Sequence, residues 1–281
     1  MRSATSPAPL PILAAVVAMI GVVLTLVSLG PDYFEDGLPF RDITSELVYY
    51  VVFALGLIAA AALLVAGRAT RATGAAMLVA MTVTFVGSRT VNGALALSDF
   101  QGLGAGVVID LIAYSFVWIA ALLAVIGLIL DRSPVWAPGG RAWFAALGAA
   151  TGFLLAVSYS MNIAAFPFSG PGNAQGSPFM PVLPRGLWGP VLVVAALVAL
   201  PALVALARAP IAIGLAAGLG VFMVAELLHR VLRSYGEVNG RDPGLDPIEG
   251  TWLFLLFSLF VGGALAVILA VPARSQDSVS T

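Results

Sequence analysis

Residues 222–249, FMVAELLHRVLRSYGEVNGRDPGLDPIE, begin as an apolar run and end as an acidic loop. The change comes within a few helical turns. Counted from Glu226, the ionisable residues His229, Arg230 and Arg233 follow three, four and seven positions later. Ionisable side chains are rare inside membrane spans because a buried charge is costly. The stretch therefore predicts a helix that leaves an apolar environment at its C-terminal end and carries polar groups on one face.

The rest of the chain shares this apolar character. Of its 281 residues, 60% are hydrophobic and 10% are charged, whereas a soluble domain carries about 25% charged residues. Apolar runs of about 20 residues cross the hydrocarbon core as helices, and eight are present, at about 11–30, 45–67, 73–97, 104–130, 142–161, 187–208, 210–233 and 251–272. We predict an all-α polytopic membrane bundle of eight transmembrane helices, forming one integral membrane domain over residues 1–281.

The order of loops suggests a division into halves, 1–135 and 136–281. Each half has a long outer loop, a short basic inner loop and another outer loop, and Arg89 and Arg230 both stand near the outer end of a third helix. Two four-helix pseudo-repeats with parallel topology would produce this layout. Similar hydropathy arising by chance would produce it as well, so both interpretations stay open.

Arginine positions predict the orientation of the bundle. With the N-terminus inside, the inner segments hold seven arginines and two acidic residues, whereas the outer loops and outer helix ends hold six arginines and twelve acidic residues. Basic residues concentrate on the cytoplasmic side of membrane proteins. We therefore expect a multi-pass protein of the cell membrane with both termini cytoplasmic.

Missing residue types exclude several kinds of chemistry. The chain contains no lysine and no cysteine, and its single histidine is His229. Without lysine there is no Schiff base, and without cysteine there is no disulfide, thiolate catalysis or iron–sulfur ligation. One histidine cannot supply both ligands of a bis-histidine haem. No cofactor and no metal site are predicted, and neither haem nor an iron–sulfur cluster is expected.

Polar residues within the outer halves of the spans are the candidate site. The carboxyls of Asp110 and Glu226 are the candidate catalytic groups, because a carboxyl held near an apolar substrate can act as a general acid. The candidate ligand-binding residues surround them in the sequence: Arg89, Asn92, Tyr114, His229, Arg230 and Arg233. The alternative is purely structural, with Asp110 neutralised by Arg89 and Glu226 by Arg230, since arginine binds carboxylates through two nitrogens.

Two classes of function fit these patterns. The first is an integral membrane protein that acts at its extracytoplasmic face, either transporter-like or as a membrane subunit of a larger complex. The second is a membrane-embedded enzyme that acts on a lipid or isoprenoid by carboxyl acid/base chemistry. The expected partners are the lipid bilayer and, for a subunit, other membrane proteins, and no nucleic acid is expected.

Overall fold

Eight long helices make up the described part of the fold. The computed structural model describes residues 9–31, 44–87, 90, 104–131, 134–137, 141–164, 188–238 and 247–271. Within them the helices are α1 Pro9–Val27, α2 Thr44–Ala66, α3 Arg68–Met81, α4 Ala105–Leu130, α5 Ala142–Ala164, α6 Trp188–Leu206, α7 Ala209–Val238 and α8 Pro247–Ala270. A π-helical turn, Thr82–Val86, continues α3. Each helix overlaps one of the predicted apolar runs, so the all-α fold class is confirmed.

The surface of the bundle is apolar where it would face lipid. Seven helices are long and apolar enough to cross a membrane, and α6 contributes a shorter described apolar stretch, Val191–Leu206. On α4, Leu122 is 60% exposed and Ile129 is 67% exposed. Side chains of this kind are compatible with a hydrocarbon environment and unfavourable in water. The chain is a polytopic membrane bundle.

The helices form two sets of four. In the first set, α1 and α3 each pack against α2 and α4, and in the second set, α5 and α7 each pack against α6 and α8. The sets meet mainly where α3 packs against α7, and α2 adds a further contact with α7. The two sets are called the first and second halves below, and the division predicted between residues 135 and 136 stays a prediction. That the halves are repeats of one another stays a prediction.

Glycines of α7 allow the contact between α3 and α7. A β-carbon on Gly214 would run into the backbone oxygen of Thr73, and one on Gly218 would lie 2.7 Å from the backbone oxygen of Met77. Small residues four positions apart let membrane helices approach closely. Since positions 214 and 218 meet 73 and 77 in the same order, α3 and α7 run parallel.

Charged residues separate toward opposite ends of the bundle. Successive helices alternate in direction, so that a β-carbon added to Gly127 near the end of α4 would lie 3.9 Å from Pro11 at the start of α1. One end, called the basic end below, carries the described arginines Arg68, Arg71, Arg141 and Arg208. The other, the acidic end, carries Glu46, Asp110 and Glu226. Asp131 also lies at the basic end and Arg230 at the acidic end, and which end is cytoplasmic stays a prediction.

The packing at Gly214 can be tested against another glycine of the same helix. Gly214→Ala should lower the midpoint of thermal unfolding in detergent, because overpacking a tight contact costs about 1–3 kcal/mol. Gly220→Ala is the matched control, since a β-carbon there meets nothing within 4 Å and alanine has the higher helix propensity. Equal midpoints for the two variants would contradict close packing of α7 on α3.

Candidate functional site

Asp110 is the most deeply buried ionisable residue of the acidic end. Its side chain, on α4, is 0% exposed. The hydroxyl of Tyr50 on α2 donates a hydrogen bond to Oδ2 at 2.8 Å, and the hydroxyl of Ser28, just after α1, lies 3.3 Å from Oδ1. An ionised carboxyl inside an apolar bundle must be hydrogen-bonded to be tolerated. These bonds therefore tie three helices of the first half to one carboxyl.

A second tyrosine extends this network along α4. The hydroxyl of Tyr114 lies 3.1 Å from that of Tyr50, and both tyrosines are almost completely buried, at 2% and 1% exposed. Each hydroxyl has one proton. Because Tyr50 donates its proton to Asp110, Tyr114 donates to Tyr50. The three side chains form a hydrogen-bonded chain that leads one helical turn deeper along α4 than the carboxyl.

Glu226 and Arg230 form an ion pair within α7. Oε1 of Glu226 lies 2.7 Å from one terminal nitrogen of Arg230 and 2.8 Å from its Nε. The guanidinium also stands over the ring of Phe254 on α8 at 4.5 Å and over that of Tyr159 on α5 at 5.5 Å. Cation–π contacts are stronger where water is excluded, and Arg230 is only 7% exposed. Arg230 thus fastens α7 to α5 and α8.

His229 points to a different neighbour from Arg230. Its Nε2 lies 3.9 Å from Oε1 of Glu46 on α2, which is too long for a hydrogen bond. The imidazole ring meets the edge of the Tyr49 ring at 5.5 Å between centroids. His229 therefore contacts the first half of the bundle, whereas Arg230 contacts the second.

Aromatic rings fill the space between the Asp110 network and the Glu226–Arg230 ion pair. Phe85, in the π-helical turn of α3, lies 5.2 Å from Tyr49 and 5.3 Å from Phe222 of α7, measured between ring centroids. Phe222 in turn lies 6.1 Å from Tyr159. Tilted and edge-on aromatic pairs at these separations are favourable. At the acidic end, the boundary between the halves is therefore a packed aromatic layer with Asp110 on one side and Arg230 on the other.

The structure brings together some of the predicted site residues. Tyr114 joins Asp110 through Tyr50, and Glu226 binds Arg230 as the structural alternative predicted. His229 contacts neither of these groups through a described bond and faces Glu46 instead. Three predicted positions cannot be compared: Arg89 and Asn92 lie outside the described residues, and only the backbone of Arg233 is described.

Metal binding finds no support in the described part of the chain. Among those residues, no three or more histidine, aspartate or glutamate side chains are grouped so that they could hold a metal ion. The described polar contacts of the site include the hydroxyl hydrogen bonds of Asp110 and the ion pair of Glu226 with Arg230.

Sequence reasoning missed three residues that shape the site: Ser28, Tyr49 and Tyr50. A signal for the tyrosines was present, because they are adjacent in an apolar span and lie close to Glu46. A buried tyrosine hydroxyl usually finds a hydrogen-bond partner, which predicts a polar group opposite. Ser28 gave no comparable signal, since a serine after a helix usually bonds to nearby backbone, as it does here to the carbonyl of Thr25 at 2.8 Å.

Comparison with known proteins gives no relative for this fold and site. No protein family model, no curated protein and no solved structure matches the chain. The functional argument therefore depends on the geometry of the chain itself.

The ion pair of Glu226 and Arg230 can be tested by a double-mutant cycle. Glu226→Gln should lower stability by about 3 kcal/mol, because the guanidinium stays buried without that carboxylate. Adding Arg230→Gln should cost much less than it does alone, since the buried charge is then removed. Thermal unfolding of the four proteins in detergent measures the coupling, and strictly additive effects would contradict the pair.

Proposed function

We propose that the protein is a transporter-like membrane protein that exchanges protons at its extracytoplasmic end, with Asp110 as the proton-binding group. The observation that carries the proposal is the complete burial of the Asp110 carboxyl within a chain of hydroxyl groups. A carboxyl inside a membrane span is costly, and such residues commonly serve in ion and proton pathways. Taking up a proton removes the cost of burying its charge.

The tyrosines supply a route for that proton. A hydroxyl can accept a proton on one side and donate one on the other. Tyr50 stands between Asp110 and Tyr114 at hydrogen-bond distance from both. When Asp110 is protonated it can donate to Tyr50, and Tyr50 then donates to Tyr114, so the direction of the hydrogen-bonded chain reverses as the carboxyl gains or loses its proton.

The Asp110 site lies within the first half, and α2 connects it to the boundary between the halves. Transporters commonly place their sites between two structural halves that move against each other. Tyr50 of α2 donates a hydrogen bond to Asp110, and Tyr49 of the same helix packs against His229 of the second half. The π-helical turn Thr82–Val86 lies at the same boundary, and such turns are frequent at functional sites.

Geometry supports the enzyme alternative less well. Proton transfer by Asp110 and Glu226 together requires that both carboxyls reach one substrate. Glu226 instead forms an ion pair with Arg230 of its own helix. The described polar contacts of Asp110 come from Ser28, just after α1, and from Tyr50 on α2, both in the first half. The extracytoplasmic location of the site follows from the arginine distribution and is part of the proposal.

Proton flux into liposomes tests this function. The full chain is reconstituted with a pH-sensitive dye inside, a potassium gradient with valinomycin sets the membrane potential, and dye fluorescence reports proton entry. Asp110→Asn should abolish the flux that exceeds protein-free liposomes, because an amide cannot exchange a proton. Tyr50→Phe should reduce it at least about tenfold, the effect of about 1.4 kcal/mol on a barrier.

Asp131→Asn is the matched control, because Asp131 lies at the other end of α4 and is exposed. This variant should keep the wild-type flux. Equal reconstitution of each variant is checked by gel and by size-exclusion profile. A wild-type flux no greater than that of empty liposomes, or an undiminished flux in folded Asp110→Asn protein, would contradict the proposal.

A further inference from the structure

The basic end carries a fixed surface where the segment after α4 meets the turn between α6 and α7. The backbone N–H of Ala137 donates to the carbonyl of Leu206 at 2.8 Å, and that of Arg208 donates to Val135 at 2.9 Å. These bonds form an antiparallel bridge between Trp136 and Ala207. These backbone hydrogen bonds hold the segment after α4 against the turn between α6 and α7.

The bridge holds an arginine and a tryptophan side by side. Nε of Arg208 donates to the backbone carbonyl of Trp136 at 3.2 Å, which fixes the base of the guanidinium. Arg208 is exposed, and the side chain of Trp136 is 58% exposed. Both side chains are therefore available to molecules outside the bundle.

A second arginine and tryptophan stand at the start of α5. The guanidinium of Arg141 donates to the carbonyl of Val271 at the end of α8 and lies 5.8 Å from the ring centroid of Phe144. Trp143 is 88% exposed. Because α5 and α6 pack along each other in opposite directions, the start of α5 lies next to the end of α6.

The charge of this end is strongly positive among the described residues. Four arginines stand there, Arg68, Arg71, Arg141 and Arg208, with Asp131 as the described acid. Guanidinium groups bind phosphate through two donors. Tryptophan rings prefer the headgroup level of a bilayer, where one side of the ring is apolar and the other wet.

We propose that this surface binds the headgroup of an anionic phospholipid, with Arg208 and Arg141 on the phosphate and Trp136 and Trp143 at headgroup level. The exposed tryptophans favour a lipid over a soluble phosphate, because they stand at the ends of membrane-crossing helices beside the arginines. Basic surfaces between helix ends are known to bind anionic lipids in this way.

Thermal unfolding in mixed micelles tests the site. The wild-type protein should gain about 2–4 °C in unfolding midpoint with phosphatidylglycerol relative to phosphatidylcholine, since a ligand bound only by the folded state raises it. The double variant Arg141→Gln with Arg208→Gln should lose this gain. Arg185→Gln, which removes the same charge from a predicted outer loop, should keep it.

Lysine substitution distinguishes charge from folding defects. Arg208→Lys retains the charge and should keep most of the gain, and added salt should reduce the gain in the wild type because it screens the phosphate. Equal midpoints in the two lipids, or loss of the gain in Arg185→Gln to the same extent, would overturn the proposal. If the double variant does not fold, Arg208→Gln alone is compared with Arg208→Lys, and equal gains in those two would overturn it as well.

Discussion

The burial of one carboxyl is the constraint on which the acidic end of this protein depends. Asp110 is completely enclosed, so its charge or its proton must be accommodated by neighbours rather than by water. Tyr50 donates a hydrogen bond from α2, and the hydroxyl of Ser28 after α1, which donates to the carbonyl of Thr25, lies 3.3 Å from Oδ1. The apolar bundle thus contains a point at which α1, α2 and α4 are linked by polar contacts, in addition to side-chain packing.

Helix α2 connects this point to the second half of the bundle. Its adjacent tyrosines contact different groups: Tyr50 bonds to Asp110, and the Tyr49 ring packs against His229. The close packing of α3 against α7, which Gly214 and Gly218 allow, holds the two halves together nearer the basic end. A change in the hydrogen bonds of Asp110 would therefore reach the boundary between the halves through α2.

The helices were predictable from sequence, and the site only in part. Each span is an uninterrupted apolar run, and hydrogen bonding within the segment forces such a run to be helical in lipid. The pair Glu226–Arg230 followed from spacing within one helix. The bonds of Tyr50 and Ser28 to Asp110 join separate helices, and the rotation of each helix is decided by packing between side chains. Periodicity gives little information about that rotation, because the spans are apolar on nearly every face.

The central claim is that Asp110 exchanges a proton within this hydroxyl network. Infrared difference spectroscopy of the reconstituted protein, recorded as the outside pH is stepped, measures it most directly. We predict a carboxyl C=O band that appears on acidification, is absent from Asp110→Asn, and changes frequency in Tyr50→Phe because the hydrogen bond to Oδ2 is lost. A spectrum in which no pH-dependent carboxyl band is removed by Asp110→Asn would contradict the account.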